Sequence, residues 1–146
     1  AIWAGMKLTT TGAYATDNDQ AYFLYATDDD LGALTTNGNL HFVYSIGGTD
    51  YITDLGVTVQ ASTVYRLKLA FDENRQISVF VNSVQYGLTS TPTTTTAGGV
   101  TQSITTAKSL AMTSGTALVP VVALQTLSAS ARFLYCHFIK ISRTLA

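Results

Sequence analysis

Few side chains in this sequence are equipped for chemistry, and their spacing argues against most of what they could do. Glycoside hydrolysis needs two carboxyl groups across one cleft, one of them with a raised pKa. The chain has a single glutamate, Glu73, and it sits in the polar run Asp72-Glu73-Asn74-Arg75. Asp50 and Asp54 flank Tyr51 in a stretch that reads as a polar loop, so solvated acids are expected there and not a catalytic pair. Cys136 and His137 are adjacent. Neighbours in a strand point to opposite faces, which rules out a direct thiolate–imidazole pair within that strand. His41 and His137 lack the Cys or carboxylate spacing of a zinc site and read as packing histidines. Asp28-Asp29-Asp30, followed by Leu31-Gly32, has neither the alternate ligand spacing nor the closing glutamate of a calcium loop, and a solvated acidic turn is expected. Gly47-Gly48 and Gly98-Gly99 lack the following lysine and helix that would cradle a phosphate. The expectation is a protein that is not an enzyme, with no catalytic residues, no metal and no cofactor.

Composition narrows the partners. The formal net charge is -1 and only 12% of residues are charged, so no basic stripe is present to neutralise phosphates or to hold an anionic membrane. Hydrophobic residues make up 47%, yet no apolar run approaches the eighteen or so residues of a membrane helix. Neither nucleic acid nor membrane is an expected partner. So apolar and weakly charged a small chain implies surface covered by neighbours, as in an assembly component. At 146 residues a single domain, 1–146, is expected, burying roughly 15,000 Å² on folding without disulfide staples. The lone Cys136 reads as a buried core thiol. The start at Ala1, without an initiator Met or a signal-peptide pattern, leaves processing and truncation both open.

The elements are strands. Thr63 to Gly87 reads as one long β-hairpin: Tyr65, Leu67, Leu69 and Phe71 alternate with Val64, Arg66, Lys68 and Ala70, residues 72–75 turn the chain, and Ile77 to Val81 is β-branched and aromatic. Ile2 to Leu8 places Ile2, Ala4, Met6 and Leu8 on one face and Trp3, Gly5 and Lys7 on the other. Ala21 to Ala26 and Leu40 to Ser45 are further strands, with short ones at Tyr51–Thr53 and Val57–Val59. Leu118 to Leu124 resembles a strand covered on both sides, although Pro120 argues for an edge or a strand start. Ala131 to Ser142 reads as a closing strand, with Phe133, Tyr135, His137, Ile139 and Ile141 on one face and Leu134, Cys136 and Phe138 on the other. The Thr-rich segment 89–106 has little to bury, and both a long loop and an arm reaching a neighbouring subunit are open for it. No sustained 3.6-residue period occurs. The fold class expected is all-β, a two-sheet antiparallel β-sandwich or jelly roll.

Four stretches carry a family likeness: Ile2 to Leu8; Ala21 to Ala26 with the acidic residues 27–30 behind it; the hairpin Tyr65 to Gly87, with Ser78-Val79-Phe80-Val81-Asn82; and Ala117-Leu118-Val119-Pro120 running on to Phe138 through Arg143. Together they resemble the concanavalin A-like (laminin G-like) jelly rolls of structural proteins of tailed bacteriophages. One departure is Ser83, where the family usually has a glycine after the asparagine. The resemblance implies a virion component, a capsid decoration or cement protein on the outer surface of the head, made in the host cytoplasm before assembly. Its partners would be the major capsid protein and copies of itself, a homotrimer suiting such a clasp. Contact residues expected on this reading are Trp3, Thr93, Thr94, Thr95 and Phe138.

The same sandwich also serves lectins. The alternative is therefore a carbohydrate-binding, lectin-like module of a phage tail or adhesion protein. It would present Trp3, Tyr22, Tyr25 and Tyr44 to a sugar from one sheet face, although their alternating apolar settings favour the core. The Asp-aromatic-Asn-Asp arrangement of metal-dependent legume lectins is missing from the sequence.

Overall fold

The computed structural model describes residues 1–10, 17–27, 38–92, 105–125 and 134–142. Among these it holds ten strands and no helix: β1 (Ile2–Lys7), β2 (Gln20–Tyr25), β3 (Asn39–Ile46), β4 (Thr49–Thr58), β5 (Leu67–Phe71), β6 (Ile77–Val81), β7 (Val84–Tyr86), β8 (Leu88–Thr89), β9 (Thr105–Thr106) and β10 (Val119–Leu124). All pairing is antiparallel. One sheet has five strands in the order β10-β1-β2-β3-β4, a second has three, β5-β6-β7, and β8 pairs with β9.

The two larger sheets share one core, which gives the chain a sandwich-like character. Ala21, Phe23, Leu40, Phe42, Tyr44, Tyr51 and Leu55 from the five-stranded sheet join Ile77, Val79 and Val81 of β6 in a single buried cluster. Directly opposed residues make its ring contacts. Phe23 and Phe42 meet edge to face at 5.1 Å, and Tyr44 stacks on Tyr51 at 4.6 Å. The Tyr44 hydroxyl donates to the Thr89 carbonyl at 2.5 Å, and burial pushes its pKa up to about 12. The opposite face of the same sheet carries a second buried cluster, Trp3, Tyr22, Leu24, Val43 and Ile52. Strands β2 and β3 are thus buried on both faces, which is why their sequences run apolar and aromatic without alternation.

Several expectations are corrected. The hairpin forms with Phe71 opposite Ile77, but its first strand starts only at Leu67, and Leu67 and Phe71 are exposed; the core is filled from β6. Its turn is held by the Asp72 carboxylate, which accepts from the amides of Asn74 and Gln76. The two short strands expected at Tyr51 and Val57 are one strand, β4, bent by a bulge at which pairing jumps from Leu40↔Val57 to His41↔Asp54. The Leu118 to Leu124 run is not covered on both sides: β10 is an edge strand, with Val119 and Val122 exposed and Pro120 where an edge tolerates it. No closing strand forms over residues 134–142, which are exposed and outside any sheet, and Cys136 is an exposed thiol and not a core one. Apolar alternation supplied the strand pattern there, but none of the described strands pairs with it.

Val81 to Val84 is a two-residue turn in which Asn82 (φ 50°) and Ser83 (φ 72°) both adopt left-handed backbone. Ser83 therefore holds, with strain, the conformation that a glycine adopts freely. Ser83→Gly is expected to stabilise the protein by about 0.5–1 kcal/mol, read as a melting midpoint raised by roughly 2–4 °C. An unchanged or lower midpoint refutes the strain argument.

Candidate functional site

The outer face of the five-stranded sheet, opposite the three-stranded sheet, gathers four of the buried polar side chains, Lys7, Gln20, His41 and Ser45, in two rows across the strands. The first row runs Lys7, Gln20, Ser45, Asp50, each directly opposite the next. Gln20 Nε2 donates to Ser45 Oγ at 2.9 Å, and Ser45 Oγ donates to Asp50 Oδ1 at 2.5 Å. Lys7 is buried with its Nζ 5.7 Å from the centre of the Tyr22 ring; burial lowers its pKa, and the charge of Asp17 opposes that shift. Burial likewise raises the Asp50 pKa, opposed by the Ser45 hydroxyl. Asp17 accepts from the Thr9 amide and hydroxyl, both at 2.9 Å, and the Gly48 amide donates to the Asn18 carbonyl, so the Asp17–Asp19 segment is tied to the residues just after β1 and to the β3–β4 turn.

The second polar row ends at the bulge. Asp54, turned beside β3, accepts from Asn39 Nδ2 at 3.1 Å to both oxygens and from the Gly56 amide at 2.7 Å. His41 Nε2 lies 3.9 Å from Asp54 Oδ2, while His41 Nδ1 lies 3.1 Å from the Asn39 carbonyl. Gly56, at φ 66°, supplies the left-handed residue that the bulge needs. His41 and Ser45 are four positions apart, about 13 Å along β3, so the imidazole does not serve the Ser45 hydroxyl. Both polar rows are largely sealed: His41, Ser45 and Gln20 are 0% exposed. Their chemistry is to fix register across β1 to β4, because a one-residue slip would bury the polar set without partners.

His41 is the pH-sensitive member. Burial lowers its pKa below 6.5, opposed by Asp54 and by the Asn39 carbonyl. The unfolded chain therefore binds a proton that the folded chain refuses, and the His41 contribution is complete above pH 6.5 and is lost as the pH falls through the folded value. Asp50, raised above 3.8, has the opposite sign: its contribution is present below pH 3.8 and is lost as the pH rises through its folded value. Denaturant midpoints are expected to fall below pH 6.5, with a slope of at most about 1.4 kcal/mol per pH unit from this one group. That slope should vanish in His41→Gln, and a variant that keeps it would assign the titration elsewhere.

The candidate residues are scattered by the fold. Trp3, Tyr22 and Tyr44 are 2%, 1% and 0% exposed, so none of them presents a ring to a sugar, and Trp3 is equally closed to a capsid contact. Trp3 and Tyr22 line the outer-face cluster, whereas Tyr44 belongs to the core between the sheets. Tyr25 is half-buried against that core. Phe138 is 73% exposed, as a contact residue needs. Thr93, Thr94 and Thr95 lie outside the described residues, as does the acidic run 28–30. The flanks of the Thr-rich segment are paired, with Leu88 opposite Thr106 and Thr89 opposite Thr105. Among the described residues no group of three or more His, Cys, Asp or Glu could hold a metal ion. Sequence reasoning missed both polar rows. The one signal was the parity of β1, which sets Lys7 on the same face as Trp3.

A scan against protein-family models and searches of curated proteins and of solved structures returned no match to this chain.

Proposed function

We propose that this chain is a non-enzymatic structural subunit of a particle: a phage head decoration or cement protein with a concanavalin A-like jelly-roll topology, placed on the outer surface of the capsid and stabilising it by contacts with the major capsid protein. The observation that carries the reading is the segment 134–142. It belongs to no sheet and exposes Tyr135, Phe138, Ile139 and Ile141 at 81%, 73%, 61% and 66%. Apolar side chains displayed in this way favour a subunit whose surface is completed by neighbours. Sealing of His41 and Ser45 favours a non-enzymatic role.

With so little charge, adhesion rests on apolar burial and backbone pairing, and raising the salt should barely weaken it. The test is to mix the purified protein with intact heads, sediment them and count copies against the major capsid protein, at low and high salt. Salt-insensitive retention at a copy number comparable to the capsid protein supports the reading. No retention on heads, with binding to surface polysaccharide instead, sinks it in favour of the lectin-like alternative.

A further inference from the structure

We propose that residues 134–142 of one copy add as a strand to the free edge of β5 in a second copy. The proposal rests on the assembly reading above and names the partner and the contact. The segment has the pattern of a strand, with Tyr135, Ile139 and Ile141 on one face, yet among the described residues it pairs with no strand and is exposed throughout. An unpaired apolar strand needs an acceptor edge, and the edges of this fold are not equivalent. β10 is blunted by Pro120, β4 by the bulge at Leu55 and Gly56, and β7, β8 and β9 are at most three residues long. Among the described strands β5 alone is a five-residue edge strand with neither proline nor bulge, paired on one side only, with β6.

The side chains of β5 also show what is missing. Leu67, Leu69 and Phe71 lie opposite Val81, Val79 and Ile77, so they share the inward face of the three-stranded sheet. Ile77 and Val79 are fully buried and Val81 nearly so, whereas Leu67 and Phe71 are 36% and 41% exposed. The seam of the sandwich is therefore open along β5, at an inward-facing apolar row. A strand laid along it, with its own apolar row turned inward, covers Leu67 and Phe71 while its backbone takes up the free donors and acceptors of the edge. A second copy is the occupant assigned because the segment and the edge occur in the same chain and stand unpaired together. Copies joined head to tail in this way close into a ring when the rotation between them permits.

The test uses the full chain and two double variants on exposed positions, Ile139→Asp with Ile141→Asp in the donor and Leu67→Asp with Phe71→Asp in the acceptor. Light scattering after size exclusion reads their masses, and circular dichroism confirms folding. The unaltered chain is expected at a multiple of 15.6 kDa, each double variant as a monomer, and their equimolar mixture as a heterodimer, since one intact donor then meets one intact acceptor. Tyr135→Asp is a second donor variant, and Phe71→Asp alone a milder acceptor variant should the pair misfold. A monomeric unaltered chain, including one that docks the segment on its own β5, overturns the proposal. So does an oligomer that survives the donor substitutions, or a mixture that stays monomeric. Self-association without retention on heads would keep strand exchange and refute only the capsid assignment.

Discussion

Replacing Trp3 by alanine is expected to lower stability by about 3–5 kcal/mol, the range for removing a fully buried large aromatic. In a chain of this size that is a melting midpoint lower by roughly 10 °C or more. Trp3 is 2% exposed and packs with Tyr22, Leu24, Val43 and Ile52 on the outer face of the five-stranded sheet. Its Nε1 is buried without a hydrogen-bond partner among the described residues. Trp3→Phe should therefore cost far less than Trp3→Ala, since it keeps most of the ring and removes a donor that has nothing to donate to. The comparison also separates two functions for one residue. A sugar-stacking tryptophan would lose glycan binding and keep its melting midpoint, whereas the packing seen here predicts the reverse. A midpoint within about 1 °C of the unaltered protein would contradict the burial.

Gly5→Ala is expected to be nearly as damaging, at about 3 kcal/mol, the upper end of what overpacking usually costs. Gly5 lies opposite Tyr22, and a Cβ built on it would sit 2.3 Å from the Ala21 carbonyl oxygen and 2.4 Å from the Tyr22 Cα. Both obstacles are backbone of β2, so no side-chain rotation relieves them. The strands must move apart, and β1 is held on both sides, by β2 and by β10. Urea midpoints of the two proteins check this at once. A loss below about 0.5 kcal/mol would show that β1 and β2 separate at little cost. The damage should exceed that of an alanine at Gly115, where a Cβ meets open space and only the left-handed backbone opposes it.

Much of this fold was legible in local pattern. The period-2 alternation of Ile2 to Lys7 gave both the first strand and the correct partition of Trp3, Gly5 and Lys7 onto one face, because side-chain parity in a strand depends on nothing beyond the strand itself. The hairpin of β5 and β6 and the edge position implied by Pro120 came from turn chemistry and the missing proline donor in the same way. The pattern did not reveal which parity would be buried, because that depends on what packs against each face. Leu67 and Phe71 alternate as well as Ile77 and Val79 do, yet the first pair is exposed and the second buried, since Ile77 and Val79 sit within the core cluster shared with the five-stranded sheet and Leu67 and Phe71 do not.

The same limit explains the C-terminal segment and the polar rows. Residues 134–142 have every local property of a strand, and Cys136 the surroundings of a core thiol, but a strand exists only where an edge accepts it, and that edge belongs to tertiary or quaternary structure. His41 and Asp54 are thirteen positions apart in the sequence, and they become neighbours because the β3–β4 pairing runs in one register from Ile46↔Thr49 to His41↔Asp54 before the bulge. Lys7, Gln20, Ser45 and Asp50 are drawn from four strands into one row by pairing alone. The sequence by itself determined that this chain forms antiparallel strands and which residues share each strand's faces; the tertiary structure decided which faces are buried, which polar groups meet and which edge is left open, because those depend on pairing between segments far apart in the chain.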